Sequence, residues 1–175
     1  MLAEIDAMTD REYEALGCVV SELLGASHIH LTPKTGEGGI DFFSMLTTPN
    51  FCHLFSGTTG PLRIIGQCKK HTSAVQDSHV RDFVTTLGDV HRQNPNVERH
   101  VPTWFRRARG PIAGLIISHA GFQATAGKRA RDHGIVCSDS LDLAEVLALS
   151  RRIPESLAPN ARVALVHQNI RQLLI

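Results

Sequence analysis

Several features that mark special classes of protein are missing from this chain of 175 residues. Its four cysteines form no C-x-x-C pair, and no histidine falls in a zinc-ligand spacing with them. No G-x-x-x-x-G-K-[ST] phosphate loop is present, which argues against a nucleotide triphosphatase. No apolar run approaches the roughly 20 residues that span a bilayer. Lysine and arginine exceed aspartate and glutamate by only one, so the molecule is not a polycation.

The composition that is present suits one globular domain. With 42% hydrophobic residues, a chain of this length can bury a core without disulfides or structural metal. The first ten residues carry three acidic and no basic side chains, the wrong charge for a secretory or mitochondrial leader. We therefore expect a cytoplasmic protein with no membrane segment.

Hydrophobic periodicity predicts an α/β protein with a mixed sheet. Capping boxes at Thr9–Glu12 and Ser73–Gln76 predict the starts of two helices. The elements follow the order αβββαβαβα with an extra C-terminal helix, over residues 10–24, 28–31, 40–46, 62–70, 73–90, 112–118, 122–133, 135–137, 139–151 and 160–175. This order predicts antiparallel pairing of the first strands and helical crossovers between the later ones.

A polar cluster is predicted where two of these strands end. Gln67 and Lys69 alternate with Cys68 along one strand, so they share a face, and Asp41 follows a glycine-rich turn at the start of another. If the strands pair, the Asp41 carboxylate, the Gln67 amide oxygen and the Cys68 backbone carbonyl can bind a hard divalent cation. Such an ion activates a bound water and binds phosphate, while Lys69 can orient the water and offset transition-state charge.

These residues resemble a known family. Asp41…Gln67-Cys68-Lys69 resembles the D…(E/Q)-x-K core of the PD-(D/E)XK nuclease superfamily, and is most similar to the Mrr-type restriction endonuclease catalytic domain, in which Gln replaces the usual Glu. Tyr13-Glu14 resembles that family's aromatic–Glu pair. Residues 36–41 resemble its glycine turn, and the similarity continues through residues 80–83, 115–122 and 141–147.

The resemblance implies a restriction-endonuclease-like core, a mixed β-sheet flanked by helices, with a nuclease domain at residues 1–153 and a helical extension at 154–175. It implies a Mg²⁺-dependent DNA endonuclease, in which Mn²⁺ can substitute. Asp41, Gln67 and Lys69 would be catalytic, with Glu14 as an outer acidic residue. Because Glu14 flanks the apolar stripe of its helix, it could face either the site or water.

A second candidate region lies between residues 92 and 111, which carry five arginines against one glutamate. Arg106, Arg107 and Arg109 adjoin the chain's only tryptophan, Trp104, and this combination suits contact with a phosphate backbone together with base stacking. Lys70, directly after the catalytic strand, could also contact phosphate. Ordinary solvation is the alternative interpretation of all these charges.

The resemblance implies restriction or defence against foreign DNA. A structure-selective nuclease, such as a Holliday-junction resolvase, and a catalytically silent domain that binds nucleic acid or a partner remain alternatives. We expect DNA as the partner, and a homodimer in which the stripe Val166, Ile170 and Leu173 packs between subunits or else docks on its own domain. Either a separate or missing domain supplies sequence recognition, or the enzyme recognises the structure or modification of DNA instead.

Overall fold

The computed structural model describes residues 1–34, 39–47 and 60–175. Its helices are α1 (Leu2–Ala7), α2 (Asp10–Leu23), α3 (Asp77–His91), α4 (Pro95–Glu98), α5 (Thr103–Arg107), α6 (Ala124–Asp132), α7 (Ser140–Leu149) and α8 (Pro159–Leu173). Its strands are β1 (Ala26–Leu31), β2 (Phe42–Leu46), β3 (Leu62–Lys69), β4 (Ile112–Ser118) and β5 (Val136–Asp139). Most of the predicted glycine turn and of the loop at 47–61 lies outside the described residues. No helix in the described ranges is long and apolar enough to cross a membrane.

The five strands form one mixed sheet in the order β1-β2-β3-β4-β5. The first three are antiparallel neighbours, whereas β3, β4 and β5 run parallel. Parallel strands end at the same edge, and β2, running the opposite way, begins there. The register pairs Phe42 with Gly66 and Lys69 with Ser118, so the topology brings the start of β2 to the ends of β3 and β4. The predicted α/β fold with its mixed sheet is confirmed.

Two apolar cores lie on opposite faces of the sheet. Residues of α2, α7 and α8 pack on one face around Phe42 and Cys68, and residues of α3, α5 and α6 pack on the other around Phe43 and Ile65. Because side chains alternate along a strand, Phe42 and Phe43 of β2 lie on opposite faces of the sheet, and so do Cys68 and Ile65 of β3. Gly66 has no side chain because the Phe42 ring lies where its Cβ would stand.

Helix α8 packs against its own domain. Val166 and Ile170 are only 2% and 1% exposed within the single chain, in the core that contains Leu16 of α2. Leu173 is partly buried against the same core. Of the two alternatives for this stripe, docking on the parent domain is therefore the one observed, and the stripe is not free to form a subunit interface.

Three helices were not predicted, namely α1 and the short α4 and α5 within the arginine-rich segment, because they are too short for a clear periodicity. The Thr9–Glu12 capping box is present at the start of α2. The predicted start of α3 near Ser73 is wrong, since α3 begins at Asp77 with Gln76 as its N-cap. Val75 instead forms a parallel bridge with Phe122, which holds this part of the chain extended.

Candidate active site

Gln67 lies at the end of β3, 6% exposed. Its Nε2 donates to the Gly39 carbonyl oxygen at 2.6 Å, which fixes the orientation of the amide. Among the described residues, the buried Oε1 has no hydrogen-bond partner. A Cβ on Gly39 would lie 2.6 Å from Gln67 Nε2, and φ of Gly39 is +67°, so only glycine suits this position. A buried amide oxygen without a hydrogen-bond partner is unfavourable unless a ligand binds to it.

Asp41 precedes β2 and lies beside the same strand end. Its Oδ2 accepts a hydrogen bond from the Cys68 backbone N–H at 2.6 Å, and its own N–H donates to the Gly66 carbonyl at 2.9 Å. Burial raises the pKa of Asp41 to about 6, and the negative charge of Glu14 adds to this, whereas the bond from Cys68 and the charge of Lys69 oppose it. The carboxylate is therefore ionised at neutral pH, but in surroundings that favour a nearby cation.

The Cys68 backbone supplies a third oxygen. In a strand, the N–H and C=O of one residue point to the same side, and the Cys68 N–H points to Asp41. Its carbonyl therefore faces the edge that β2 leaves open. One carboxylate, one amide oxygen and one carbonyl form a donor set that suits a hard divalent cation. Within the described ranges, no three His, Cys, Asp or Glu side chains converge as a metal-binding group, so this mixed set is the candidate.

Lys69 and Gln67 line a cavity of about 310 Å³ whose far wall is α3. That wall comprises His79, Asp82, Phe83 and Thr86, which sequence analysis did not assign to the site. Their spacing along α3 would have revealed a common helical face, but nothing in the sequence shows that this face meets the end of β3. The wall is braced from α6, where Arg129 makes two hydrogen bonds, of 2.6 and 2.8 Å, to the Asp77 carboxylate.

Glu14 reaches the site from α2 but is already paired. Arg11, one helical turn earlier, donates from Nη1 to Glu14 Oε2 at 2.6 Å. The Arg11 Nη2 donates to the Thr32 carbonyl at 2.7 Å, and Thr32 in turn donates to the Asp41 carbonyl through its N–H and its hydroxyl. Glu14 is half-buried, and its negative charge acts on Asp41, so it lies near the candidate site. Arg11 was not predicted, although its i,i+3 spacing to Glu14 was visible in the sequence.

Comparison with known proteins agrees with this geometry. A family model described as restriction endonuclease (Mrr_cat) matches residues 5–98, which is more than half of the chain. The chain belongs to the restriction endonuclease family. The match contains Asp41, Gln67, Lys69 and Glu14, and the resemblance inferred from those residues is confirmed. A search of curated proteins found no match.

Two solved restriction endonucleases share the fold. One is the MspJI restriction endonuclease in complex with a 27-mer oligonucleotide, with 19% identity and a TM-score of 0.60 over 97% of this chain. The other is AspBHI, a DNA modification-dependent restriction endonuclease, with 16% identity and a TM-score of 0.53 over 91% of this chain. This restriction endonuclease domain spans 34% and 35% of their lengths. Membership of the family supports a role as a DNA nuclease.

The family's aromatic–Glu pair has a physical explanation here. The buried Tyr13 hydroxyl lies 3.1 Å from Ser140 Oγ, and His119 Nδ1 lies 3.0 Å from the same oxygen. Burial raises the pKa of Tyr13, so the phenol stays neutral and available for hydrogen bonding. This network joins α2, which carries Glu14, to α7 and to the end of β4.

The arginine-rich segment lies at the other end of β3. Arg63 donates to the Gly110 carbonyl from Nε and Nη2, at 3.0 and 2.7 Å, and to the Phe105 carbonyl from Nη1 at 3.1 Å. Lys69 lies six positions after Arg63 along the strand, a distance of about 20 Å. The segment is thus anchored at the edge remote from the candidate site.

The side chains predicted to bind DNA differ in their surroundings. Arg106, Arg107 and Arg109 are exposed, and Arg106 lies 3.4 Å from Glu98. Trp104 is half-buried, with its ring 5.2 Å from that of His28 and 5.7 Å from that of Phe105, so its indole packs within the fold. Lys70 donates to the Asp6 carbonyl at 2.7 Å.

Proposed function

We propose that this domain is a metal-dependent endonuclease that hydrolyses phosphodiester bonds of DNA. The observation that carries the proposal is the Gln67 amide, which Gly39 orients from one side while the buried Oε1 has no partner among the described residues. Most buried polar groups have a hydrogen-bond partner, so an oriented amide oxygen that lacks one within the described ranges, beside an acid and a lysine, supports a ligand at this position. Family membership supports the same conclusion.

Asp41, Gln67 and the Cys68 carbonyl would hold Mg²⁺, for which Mn²⁺ can substitute. When bound, the ion would supply an acidified water and a positive charge at the scissile phosphate. Gln67 contributes an oxygen whose direction is set in advance by the Gly39 carbonyl. Asp41 contributes the negative charge, and because its pKa is about 6 the carboxylate is ready to bind above that pH.

Lys69 would act on the substrate rather than on the ion. It lines the same cavity as Gln67, and its charge lowers the pKa of Asp41, which places the ammonium group near the carboxylate. From there it can orient the attacking water and offset the charge that develops on the phosphate. Glu14, the outer acidic residue, would contribute to the negative field of the site.

We infer that the exposed Arg106, Arg107 and Arg109 contact the DNA backbone away from the scissile bond. About 20 Å corresponds to roughly six nucleotides along one strand, so one duplex can reach both ends of β3. Lys70 would contact a phosphate next to the site if it exchanges its bond to the Asp6 carbonyl. Trp104 would take part in DNA binding by holding the segment in place, since its ring is packed against His28 and Phe105.

We place residues 1–153 as the nuclease unit and residues 154–175 as an extension that braces α2. Restriction of foreign DNA in the cytoplasm is the role we propose. Because the chain spans about a third of the two restriction endonucleases, a separate or missing domain would supply recognition of DNA sequence or modification. A homodimer would cut both strands, and it would have to form through a surface other than the buried stripe of α8.

The test is a cleavage assay with plasmid, linear duplex, single strand and four-way junction in Mg²⁺, Mn²⁺ or EDTA. We expect duplex cutting in either metal and none in EDTA. Cutting of junctions alone would favour a junction resolvase. Binding without cutting in any metal would contradict the endonuclease and favour a silent binding domain.

A further inference from the structure

Arg11 is a fixed positive charge next to the candidate metal site. Its guanidinium donates to Glu14 Oε2 at 2.6 Å and to the Thr32 carbonyl at 2.7 Å. The side chains of Arg11 and Glu14 are only 21% and 23% exposed. A short, charge-assisted bond in partly buried surroundings is stronger than an ordinary surface ion pair. Arg11 is therefore part of the architecture of this edge.

The backbone of Thr32 connects this ion pair to Asp41. Thr32 is buried; its N–H donates to the Asp41 carbonyl at 2.9 Å, and its hydroxyl donates to the adjacent Ile40 carbonyl at 2.6 Å, with the Asp41 carbonyl at 3.0 Å. Burial and the charge of Glu14 raise the pKa of Asp41, whereas the bond from Cys68 and the charges of Lys69 and Arg11 lower it. Asp41 and Glu14 are therefore neighbouring carboxylates, and Arg11 is the cation bonded directly to Glu14.

Two neighbouring carboxylates need a cation, and a metal ion or a guanidinium can provide it. A Mg²⁺ ion is satisfied by one or two carboxylates with retained waters, so Asp41, Gln67 and the Cys68 carbonyl are sufficient for one ion. A second ion held by Asp41 and Glu14 would have to share the Glu14 carboxylate with the Arg11 guanidinium, which already binds its Oε2. It would then lie close to a guanidinium that cannot lose its proton.

We propose that Arg11 retains Glu14 in this salt bridge and thereby limits the site to a single divalent cation. The inference rests on the proposed metal-dependent function and deepens it. Arg11 is in this sense a positioning residue, because it acts through Glu14 and not on the DNA.

The test is to titrate the metal-free chain with Mn²⁺ by calorimetry and to count bound ions by electron paramagnetic resonance. The wild-type chain should bind one ion. Arg11→Met keeps the length of the side chain but releases Glu14, and this variant should bind two. The double variant Arg11→Met/Glu14→Gln should return to one. Arg107→Met, which removes an exposed arginine of the remote segment, is the matched control and should bind one.

Two ions in the wild type, or one ion in folded Arg11→Met, would overturn the inference while leaving the proposed metal site intact. No ion in the wild type would overturn the metal site and the inference with it. If Arg11→Met does not fold, the number of ions bound by Glu14→Gln and their dissociation constant test the inference instead. We expect Glu14→Gln to bind one ion with a dissociation constant within about threefold of wild type, whereas a loss beyond about tenfold would place Glu14 in the metal shell.

Discussion

The two ends of β3 use polar side chains in opposite ways. At the start of the strand, all three nitrogens of the Arg63 guanidinium donate to backbone carbonyls, and the group lies 5.3 Å from the centre of the Phe105 ring. At the end of the strand, Gln67 uses its amide nitrogen for Gly39, and its buried oxygen has no partner among the described residues. The Arg63 guanidinium therefore supports the structure, whereas the Gln67 oxygen is oriented and unpaired next to Asp41 and Lys69, as a ligand site requires.

The largest expected effect is loss of cleavage at the Gln67 end. Asp41→Ala removes the only carboxylate of the proposed metal shell, and Lys69→Ala removes the cation beside the phosphate. Each should lower the rate of plasmid cleavage at least about 100-fold, and Lys69→Ala should still bind DNA. Gln67→Ala should lose most of the rate. Full activity in folded Asp41→Ala or Lys69→Ala would remove the assignment of this end as catalytic.

Gln67→Glu tests the orientation of the amide as part of the same series. A carboxylate cannot donate to the Gly39 carbonyl, which lies 2.6 Å from Nε2, so two oxygens would face each other there. We expect this variant to be less active than wild type despite the added negative charge, with cleavage rates measured under saturating Mg²⁺. Equal or higher activity would show that the contact with Gly39 does not matter.

Next in size is the loss of stability expected at the Arg63 end. Arg63→Met leaves the carbonyls of Gly110 and Phe105 without their donor and should lower the free energy of unfolding by about 2–4 kcal/mol, as measured in urea. The exposed Arg107→Met should change it by less than about 0.5 kcal/mol. Folded Arg63→Met should retain its turnover number. If both variants unfold like wild type, Arg63 is not an anchor.

A smaller stability effect of opposite sign is expected at Asp41. An unfolded Asp titrates near pH 3.8, whereas burial holds the folded pKa at about 6, so the folded state retains a proton between these values. Stability therefore falls as pH rises through this window, by at most about 3 kcal/mol, and stays lower above it. Asp41→Asn in EDTA should be more stable than wild type at neutral pH, and this advantage should vanish near pH 4. Thermal unfolding of both proteins across this pH range measures the difference in stability.

The same pKa predicts that metal binding by the wild type should weaken as pH drops below about 6, because a proton on Asp41 then competes with the cation. Cleavage at limiting Mg²⁺ should weaken with it. If Asp41→Asn is no more stable than wild type at neutral pH, the ionised Asp41 carboxylate does not destabilise the folded state, and this prediction is wrong.

The smallest expected effect concerns affinity for DNA. Replacing Arg106, Arg107 and Arg109 together by Gln should flatten the dependence of log binding constant on log salt, by up to about 0.9 for each lost phosphate contact. The turnover number should be unchanged. A matched triple variant of the exposed Lys128, Arg151 and Arg152 should leave the slope as in wild type. Equal slopes in all three proteins would show that the arginines of residues 92–111 are ordinary solvated side chains that do not contact DNA.

The sequence predicted most of the core elements but was less successful at their junctions. Long periodic segments such as α2 and β4 were predicted within a few residues, because their pattern reflects which face is buried. The start of α3 was misplaced. The capping-box pattern at Ser73–Gln76 predicts a helix there, but Val75 forms a bridge with Phe122, a residue far away in the sequence, and this bridge keeps the segment extended. The stripe of α8 was visible, but its partner, α2, was not.

At the candidate site, too, local features were predicted from the sequence, whereas contacts between distant elements were not. Asp41, Gln67 and Lys69 were named from their order and from strand alternation, since both are local properties. Arg11 and the α3 wall of the cavity were missed, because only folding brings α2, Thr32 and α3 to the end of β3. The sequence did not show that the Trp104 ring packs on His28 of β1, and contact of Trp104 with DNA stays a prediction.

By itself, the sequence determined the chemical types at the site and the alternation that puts Gln67 and Lys69 on one face, because these follow from covalent order and backbone geometry. Tertiary structure alone decided which charges are compensated and which polar atoms are left unpaired. Glu14 became a partner of Arg11, Arg63 became an anchor, and the Gln67 oxygen has no partner in the part of the chain that the structure describes. The reason is that pairing depends on distances between separate elements, and the fold sets those distances.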